Sequence, residues 1–264
     1  MIVLPQNKID VKKICIRVTR RCNLTCPYCL APDNKETELT TNDILEIVNY
    51  LKCCSLSSVS LSGGEPFIRK DLGEILYSLN EIGIDKSVTS NGVNLTDEQI
   101  DFLKATDTKV KFSVHGIGEN HNKLDGVNIF EKVNNNISRL VKANIRLTVN
   151  TMISAKNISA IDELINYSIH KGVKRIRFIL FIPRGRGFSN EQSFLLTDKN
   201  KTEIKNKIAL AKVQHKNILD IRFSDYYEHP YIVLEPDGKL IKELPYESND
   251  EIIWEFKSKV HAIS

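Results

Sequence analysis

The chain has 264 residues, of which 41% are hydrophobic and 27% are charged, with a formal net charge of only +4. This composition is typical of a soluble globular protein: no apolar run approaches the roughly 18 residues of a membrane helix, and the small positive excess gives no reason to expect a nucleic-acid partner. The N-terminal stretch lacks a signal-peptide core, so we expect a cytoplasmic protein whose thiols stay reduced.

Short runs rich in Val, Ile and Phe alternate with helix-like segments along the first 190 residues. The runs predict six strands, at 14–19, 58–61, 86–90, 109–114, 145–152 and 175–182. The segments between them predict helices at 44–51, behind the capping pattern Thr40-x-x-Asp43, and at 72–79, 97–103, 129–141 and 158–170. This order is typical of a parallel sheet, and six such units make three quarters of a TIM-type barrel.

The alternation stops after residue 190. A charged helix is predicted at about 197–214, followed by a strand near 220–223 and by a hairpin in YIVLEPDGKLI, where Pro-Asp-Gly favours a turn. The predicted fold class is therefore α/β: a partial (βα)6 TIM-type barrel over residues 1–190 and a small α+β C-terminal extension over residues 191–264 that caps the open side of the barrel.

Three of the six cysteines, Cys22, Cys26 and Cys29, lie together in the stretch CNLTCPYC. Three thiolates on one loop suit a soft metal, and a [4Fe–4S] cube that leaves one iron without a protein ligand needs only three cysteines. A structural zinc site is the alternative, but it needs a fourth ligand at finger-like spacing, and residues 55–264 contain no cysteine. The other thiols lack ligand spacing and are expected to be buried small hydrophobes: Cys15, Cys53 and Cys54.

The stretch TRRCNLTCPYC, followed on the next strand by SLSGGEPFIR, resembles the radical S-adenosylmethionine (SAM) superfamily. The resemblance implies that the three cysteines bind a [4Fe–4S] cluster and that SAM chelates the fourth iron. It also places the backbone of IPRGRG near the adenine. The SAM contacts implied by the resemblance are Tyr28, Gly63, Gly64, Glu65, Pro66, Ser90, Asn91, Ser113 and Asn150. For two of these positions a plain structural role stays open: Asn91-Gly92 as a turn, and Ser113 as a satisfied strand hydroxyl.

The alternation of side chains along each strand predicts which residues face into the barrel. In the fourth strand, for example, Phe112 faces the helices and Lys111 faces the lumen. Several cations converge there, and because an unpaired buried charge is costly, we expect an anionic guest to pair with them. The alternative is pairing with acidic side chains at the bottom rim, above all for Arg146 and Arg175, which begin their strands. The candidate substrate-binding residues are Arg17, Lys111, Arg146, Arg175 and Arg177.

The segment SVHGIGENHNKLDG is interpreted as a polar loop over the mouth of the site. It contains His115, His121 and Asp125. His115 is a candidate catalytic residue, as a proton donor, and a solvated loop histidine is the alternative.

The resemblance implies an enzyme that takes an electron from reduced flavodoxin or ferredoxin into an oxygen-sensitive cluster. SAM is then cleaved to methionine and a 5′-deoxyadenosyl radical, which abstracts hydrogen from the substrate. The core is similar to the molybdenum-cofactor cyclase group, but residues 55–264 lack the cysteines that hold an auxiliary cluster there.

From the polar lumen we expect a small anionic substrate: a nucleotide, a sugar or a carboxylate metabolite. Three alternatives stay open at this point. They are modification of a ribosomally made peptide, modification of tRNA, and a non-catalytic iron–sulfur electron carrier.

Overall fold

The computed structural model describes residues 2–31 and 38–257. Within them the strands are β1 Lys13–Thr19, β2 Ser58–Gly63, β3 Asp85–Ser90, β4 Lys109–Ser113, β5 Leu147–Ile153, β6 Arg175–Leu180, β7 Asp220–Ser224, β8 Tyr231–Leu234, β9 Lys239–Glu243 and β10 Glu251–Glu255. The helices are α1 Thr41–Cys54, α2 Leu72–Glu81, α3 Asp97–Ala105, α4 Glu119–Asp125, α5 Phe130–Lys142, α6 Ile161–His170, α7 Arg186–Ser189, α8 Glu191–Phe194 and α9 Asp198–Gln214. None of these helices has both the length and the apolar character needed to cross a bilayer.

The six predicted strands are confirmed, with ends that differ from the prediction by at most two residues. β1 to β6 pair in sequence order, each parallel to the next, which is the arrangement expected for six βα units. The carboxyl ends of all six strands therefore meet at one rim. The predicted fold class, a partial barrel with a C-terminal extension, is confirmed.

The C-terminal extension continues the sheet of the barrel at both edges. β7 pairs parallel with β6, whereas β8 pairs parallel with β1 and leads into the antiparallel strands β9 and β10. The turn at Pro236-Asp-Gly238 joins β8 to β9, as the sequence predicts. β10 was not predicted. The division into domains at residue 190 stays a prediction, but backbone hydrogen bonds join the extension to the barrel on both sides.

Alternation along the strands separates an apolar outer face from a polar inner face, as predicted. The side chains of Phe112 and Phe178 are fully buried against the helices. On the helix side, the capping box of Thr40 and Asp43 opens α1, and the face of α1 that contains Ile44 and Leu51 is completely buried. Because the outer face of the sheet and the helices bury the apolar side chains, the inner face of the sheet is free to carry functional groups.

Candidate functional site

A cavity of about 510 Å³ lies inside the barrel. Its wall near the carboxyl ends of the strands includes the candidate catalytic residue His115 and most of the predicted cluster and SAM residues, namely Cys22, Cys26, Tyr28, Cys29, Gly63, Gly64, Ser90, Asn91, Ser113 and Asn150. Its deeper wall includes Arg17, Lys111, Arg175 and Arg177. The fold therefore brings together residues that are far apart in sequence, at the end of a parallel barrel where active sites form.

The glycine pair of β2 allows this strand to approach the start of the cysteine loop. Gly63 has φ +139°, and a Cβ on Gly64 would lie 2.0 Å from the carbonyl oxygen of Arg21. The amide of Gly64 donates to the Thr19 carbonyl at 2.8 Å, and the amide of Glu65 donates to the Arg21 carbonyl at 2.9 Å. The glycines are therefore needed for contact between two protein segments, and only glycine fits there.

The three loop cysteines are free and partly buried on the cavity wall. The amide of Cys29 donates to the Cys26 carbonyl at 3.2 Å, which turns the loop back on itself. Among the described residues no three Cys, His, Asp or Glu side chains converge on a single metal ion. A cube does not require such convergence, because each thiolate binds a different iron; three free thiols on one loop therefore fit a [4Fe–4S] cluster.

The segment after β6 packs on the outside of the cysteine loop. The Arg186 Nε donates to the Cys26 carbonyl at 3.0 Å, and the amide of Gly187 donates to the Cys29 carbonyl at 3.3 Å. Asn190 Nδ2 donates to the Pro27 carbonyl at 3.1 Å. No local pattern predicts this contact, which joins residues about 160 positions apart. The position of this segment relative to adenine stays a prediction.

Glu65 is buried beneath the cavity wall, and its side chain binds other parts of the protein. Its carboxylate accepts from the amide of Phe67 at 3.0 Å, from the Ser90 hydroxyl at 3.0 Å and from the amide of Asn91 at 2.8 Å. Burial raises the pKa of Glu65 to about 7. Glu65 therefore fixes the ends of β2 and β3 against each other. Neither Glu65 nor Pro66 lines the cavity, and their predicted contact with SAM stays a prediction.

His115 is buried rather than solvated. Its Nδ1 accepts from the amide of Met152 at 3.1 Å, and burial lowers its pKa to about 4. The imidazole is therefore neutral near pH 7, with its proton on Nε2. In this state it can donate a hydrogen bond to a ligand, but it is not an imidazolium acid.

The prediction of a polar loop over the mouth of the site is wrong, because residues 119–125 form the helix α4. Gly118, with φ +56°, begins this helix, and Gly126, with φ +74°, ends it. His121 and Asp125 lie on its buried side. The helix is short and polar, so its sequence carries no apolar periodicity that would predict it.

Within the described ranges, three residues of the cavity wall, Asn150, Arg177 and Glu243, each have a buried polar atom without a hydrogen-bond partner. Asn150 Oδ1 and Arg177 Nε have no hydrogen-bond partner in the part of the chain that the structure describes. Buried polar atoms are nearly always paired, so an unpaired atom facing a cavity is suited to a bound ligand. Asn150 lies at the carboxyl end of β5, beside Ser113 of β4, and the arrangement fits SAM, which carries groups that donate to such an oxygen.

The five predicted substrate cations have different environments. Arg17 forms buried ion pairs with Glu235 and Glu243, so its charge is already neutralised. Arg146 is exposed, lies outside the cavity and pairs with Asp107 at 2.6 Å. Arg175 lines the cavity but pairs with Asp220 at 2.7 Å. The alternative of pairing with acidic side chains therefore holds for Arg146 and Arg175, and it extends to Arg17.

Lys111 and Arg177 are different, because no acidic side chain pairs with either of them within residues 2–31 and 38–257. Lys111 Nζ donates to the Ser60 hydroxyl at 2.9 Å, and Arg177 contacts the Tyr231 hydroxyl at 3.5 Å. Burial, and then the charge of Arg177, lower the pKa of Lys111 to about 8. These two cations therefore face the cavity without a countercharge.

The remaining cysteines differ from the prediction. Cys53 is exposed, because it lies on the outer side of α1, away from the buried face that contains Leu51, and Cys54 is only partly buried. Cys15 is partly buried and lines the cavity, since it alternates with the outward-facing Ile14 and Ile16. Burial raises the pKa of Cys15 to about 11, so this thiol stays protonated.

Comparison with known proteins connects this site to a family. The profile described as Radical SAM superfamily matches residues 16–168. A probable GTP 3′,8-cyclase of Sulfurisphaera tokodaii is 29% identical over 263 residues, which cover 92% of this chain and 84% of that protein. A PqqA peptide cyclase of Methylorubrum extorquens is 28% identical over 219 residues, which cover 80% of this chain and 57% of that protein.

A solved structure shows the same fold. Streptococcus suis SuiB bound to S-adenosylmethionine superposes with a TM-score of 0.74 at 15% sequence identity. The match covers 91% of this chain and 62% of the SuiB chain. At this identity the likeness concerns the fold alone.

Proposed function

Because this chain belongs to the radical SAM superfamily, whose enzymes use a [4Fe–4S] cluster and SAM, we propose that it abstracts hydrogen from a small anionic substrate bound in the barrel. The observation that carries this proposal is the pair of unneutralised cations, Lys111 and Arg177, on the deep wall of the cavity. An anionic group on the substrate supplies the missing countercharge, because a cation that is partly withdrawn from water without a partner is costly. The electron-carrier alternative does not fit a family of enzymes.

The proposed cluster ligands are Cys22, Cys26 and Cys29. The bound cluster and SAM together supply a 5′-deoxyadenosyl radical, which takes a hydrogen atom from a substrate carbon and becomes 5′-deoxyadenosine. On this proposal Asn150 accepts from SAM, Ser113 lies beside it, and the neutral His115 offers its Nε2 proton as a hydrogen-bond donor. These groups orient the ligand within the barrel cavity.

The substrate class that we propose is a nucleotide, a sugar or a carboxylate metabolite. A relative that covers most of the chain is named a probable GTP 3′,8-cyclase, which makes GTP the first substrate to test. Residues 55–264 of this chain contain no cysteine, however, and so lack the auxiliary-cluster ligands typical of that cyclase group. We therefore propose the substrate class and leave the reaction that follows hydrogen abstraction open.

Enzymes of this family take their electron from a reductant. For this chain we propose reduced flavodoxin or ferredoxin as the donor.

Modification of a ribosomally made peptide is the second candidate function. It is supported by the similarity to a protein named PqqA peptide cyclase, although this chain matches only 57% of that protein. A peptide is expected to bind through its backbone, and it does not require the two partly buried cations.

The test is an anaerobic assay on protein with a reconstituted cluster, dithionite and SAM. We expect GTP or another anionic small molecule to increase 5′-deoxyadenosine formation. We also expect deuterium from a labelled substrate to appear in the 5′-deoxyadenosine. Stimulation by a precursor peptide alone would support the second candidate. A reducible cluster that never cleaves SAM would contradict both.

A further inference from the structure

A buried carboxylate, Asp125, lies in the cavity wall beside the cysteine loop. It is the last residue of α4, and Gly126 in the left-handed conformation ends the helix directly after it. One oxygen of Asp125 accepts from the Tyr28 hydroxyl, and the other lies 3.0 Å from the Nε2 of His121. Asp125 is only 5% exposed and His121 is fully buried, so this contact is shielded from solvent.

The geometry indicates that Asp125 carries a negative charge. The backbone amide of His115 donates to the Nδ1 of His121 at 3.2 Å, so the proton of this neutral imidazole lies on Nε2, next to Asp125. Burial opposes ionisation of Asp125, but the contact with His121, followed by the influence of His115 and the hydrogen bond from Tyr28, lowers the pKa of the carboxyl group. No Lys or Arg forms an ion pair with Asp125 anywhere in the described ranges, so the charge is not neutralised.

The charge of Asp125 reaches the proposed cluster ligands. Tyr28, which holds the carboxylate, lies in the loop between Cys26 and Cys29. Asp125 lines the same cavity as Cys22, Cys26 and Cys29. The ring of Tyr28 is itself fixed, since it packs edge-on against His115 with 4.9 Å between the ring centres. The carboxylate is therefore held at one place relative to the loop.

We propose that Asp125 lowers the reduction potential of the cluster held by Cys22, Cys26 and Cys29. Reduction adds a negative charge to the cluster, and a fixed, unscreened carboxylate nearby disfavours that addition. The reduced cluster consequently becomes a stronger electron donor to SAM. This inference rests on the proposed cluster ligands, but it does not depend on which substrate the enzyme uses.

The test is the midpoint potential of the reconstituted cluster, measured without substrate by redox titration followed by electron paramagnetic resonance. Asp125→Asn keeps the size of the side chain and an oxygen that accepts from Tyr28, but it removes the charge. We expect the ratio of reduced to oxidised cluster at a fixed potential to rise about 10-fold, which corresponds to about 59 mV for one electron.

The matched control is Glu119→Gln, which removes one negative charge from the exposed start of the same helix. We expect no change in the potential for this variant. If Asp125→Asn takes up too little iron and sulfide, the equal-sized pair Asp125→Glu and Asp125→Gln gives the same comparison. Only the glutamine variant, which lacks the charge, should then show a higher ratio of reduced to oxidised cluster.

An unchanged potential in the charge-free variants, or an equal shift in Glu119→Gln, overturns the inference while leaving the proposed function intact. A wild-type protein that takes up no iron–sulfur cluster overturns the proposed ligands, and the inference with them. Normal cluster behaviour without a response to anionic substrates contradicts only the proposed substrate class.

Discussion

Two groups of cations, one buried and one only partly buried, lie in and around the barrel, and they differ in whether the protein neutralises them. In the first group, three arginines meet three carboxylates: Arg17, Arg20 and Arg184 with Glu235, Glu243 and Asp250. In the second group, Lys111 and Arg177 contact only neutral hydroxyls. Arg17 of the first group lines the same cavity as Lys111 and Arg177, so position alone does not separate a structural charge from a ligand-binding one.

The difference shows what each group does. The first group joins β1 and the segment after β6 to the strands of the C-terminal extension, and so it holds the extension against the barrel. Its positive and negative charges balance, which leaves none for a substrate. The second group is unbalanced, and a ligand of opposite charge completes it. Removing a cation should therefore damage stability in the first group and binding in the second.

The largest effect is expected from Arg17→Met. This change leaves Glu235 and Glu243 buried without their shared partner, and breaking a buried ion pair in this way costs about 3–5 kcal/mol. Urea denaturation of the protein should show this loss in the free energy of unfolding. A loss for Arg17→Met no greater than for Arg177→Met would show that the distinction between the two groups is wrong.

The sequence predicts the second group better than the first, because of where the partners lie. Alternation along β4 and β6 is enough to point Lys111 and Arg177 into the barrel. The partners of Arg17 lie 218 and 226 residues away, directly after β8 and at the end of β9, and the pairing of β8 with β1 has no local signal. Five lumen cations were therefore expected to bind substrate, and the structure leaves two of them without an acidic partner.

The candidate site shows the same limit. The cysteine loop and the glycine-rich turn are short motifs, so the residues themselves indicate the chemistry. By contrast, the contact of Asp125 with Tyr28 joins residues 97 positions apart through a helix that no periodicity predicts. Local patterns thus predict the strands and the cluster loop, whereas the charges that tune the site depend on tertiary packing.

The next largest effect is expected from Arg177→Met on binding. Loss of a charged hydrogen bond costs about 1.5–3 kcal/mol, so the KM for the substrate should rise about 10–100-fold. The free energy of unfolding should stay the same or increase, because an unpaired, partly buried cation is removed. The matched control is Arg222→Gln, since Arg222 lies opposite Arg177 on β7 but is exposed, outside the cavity, and paired with Asp220. Equal changes in KM for both variants would contradict the proposed role of Arg177.

A smaller effect is expected from titration of Lys111. Its pKa of about 8 lies below the ordinary value of 10.5, so the amine loses its proton as the pH rises above 8. Affinity for a phosphate-bearing probe should fall over this range, and Lys111→Met should bind weakly without that fall. The folded protein releases this proton before the unfolded chain does, so stability without ligand should rise between pH 8 and 10.5. Affinity that stays constant to pH 10 in the wild type would contradict a charged Lys111 at the site.

The smallest effect is expected from Arg146→Gln. Arg146 belongs to neither group of cations, so this variant tests whether such a cation contributes to stability or to substrate binding. Its pair with Asp107 is on the surface, with the Arg146 side chain 53% exposed and the Asp107 side chain 82% exposed. An exposed pair of this kind contributes about 0–1 kcal/mol, because water and salt screen both charges. Urea denaturation and substrate titration of this variant should therefore match the wild type closely. An increase in KM comparable to that of Arg177→Met would return Arg146 to the substrate site and would show that pairing does not decide which cations bind the ligand.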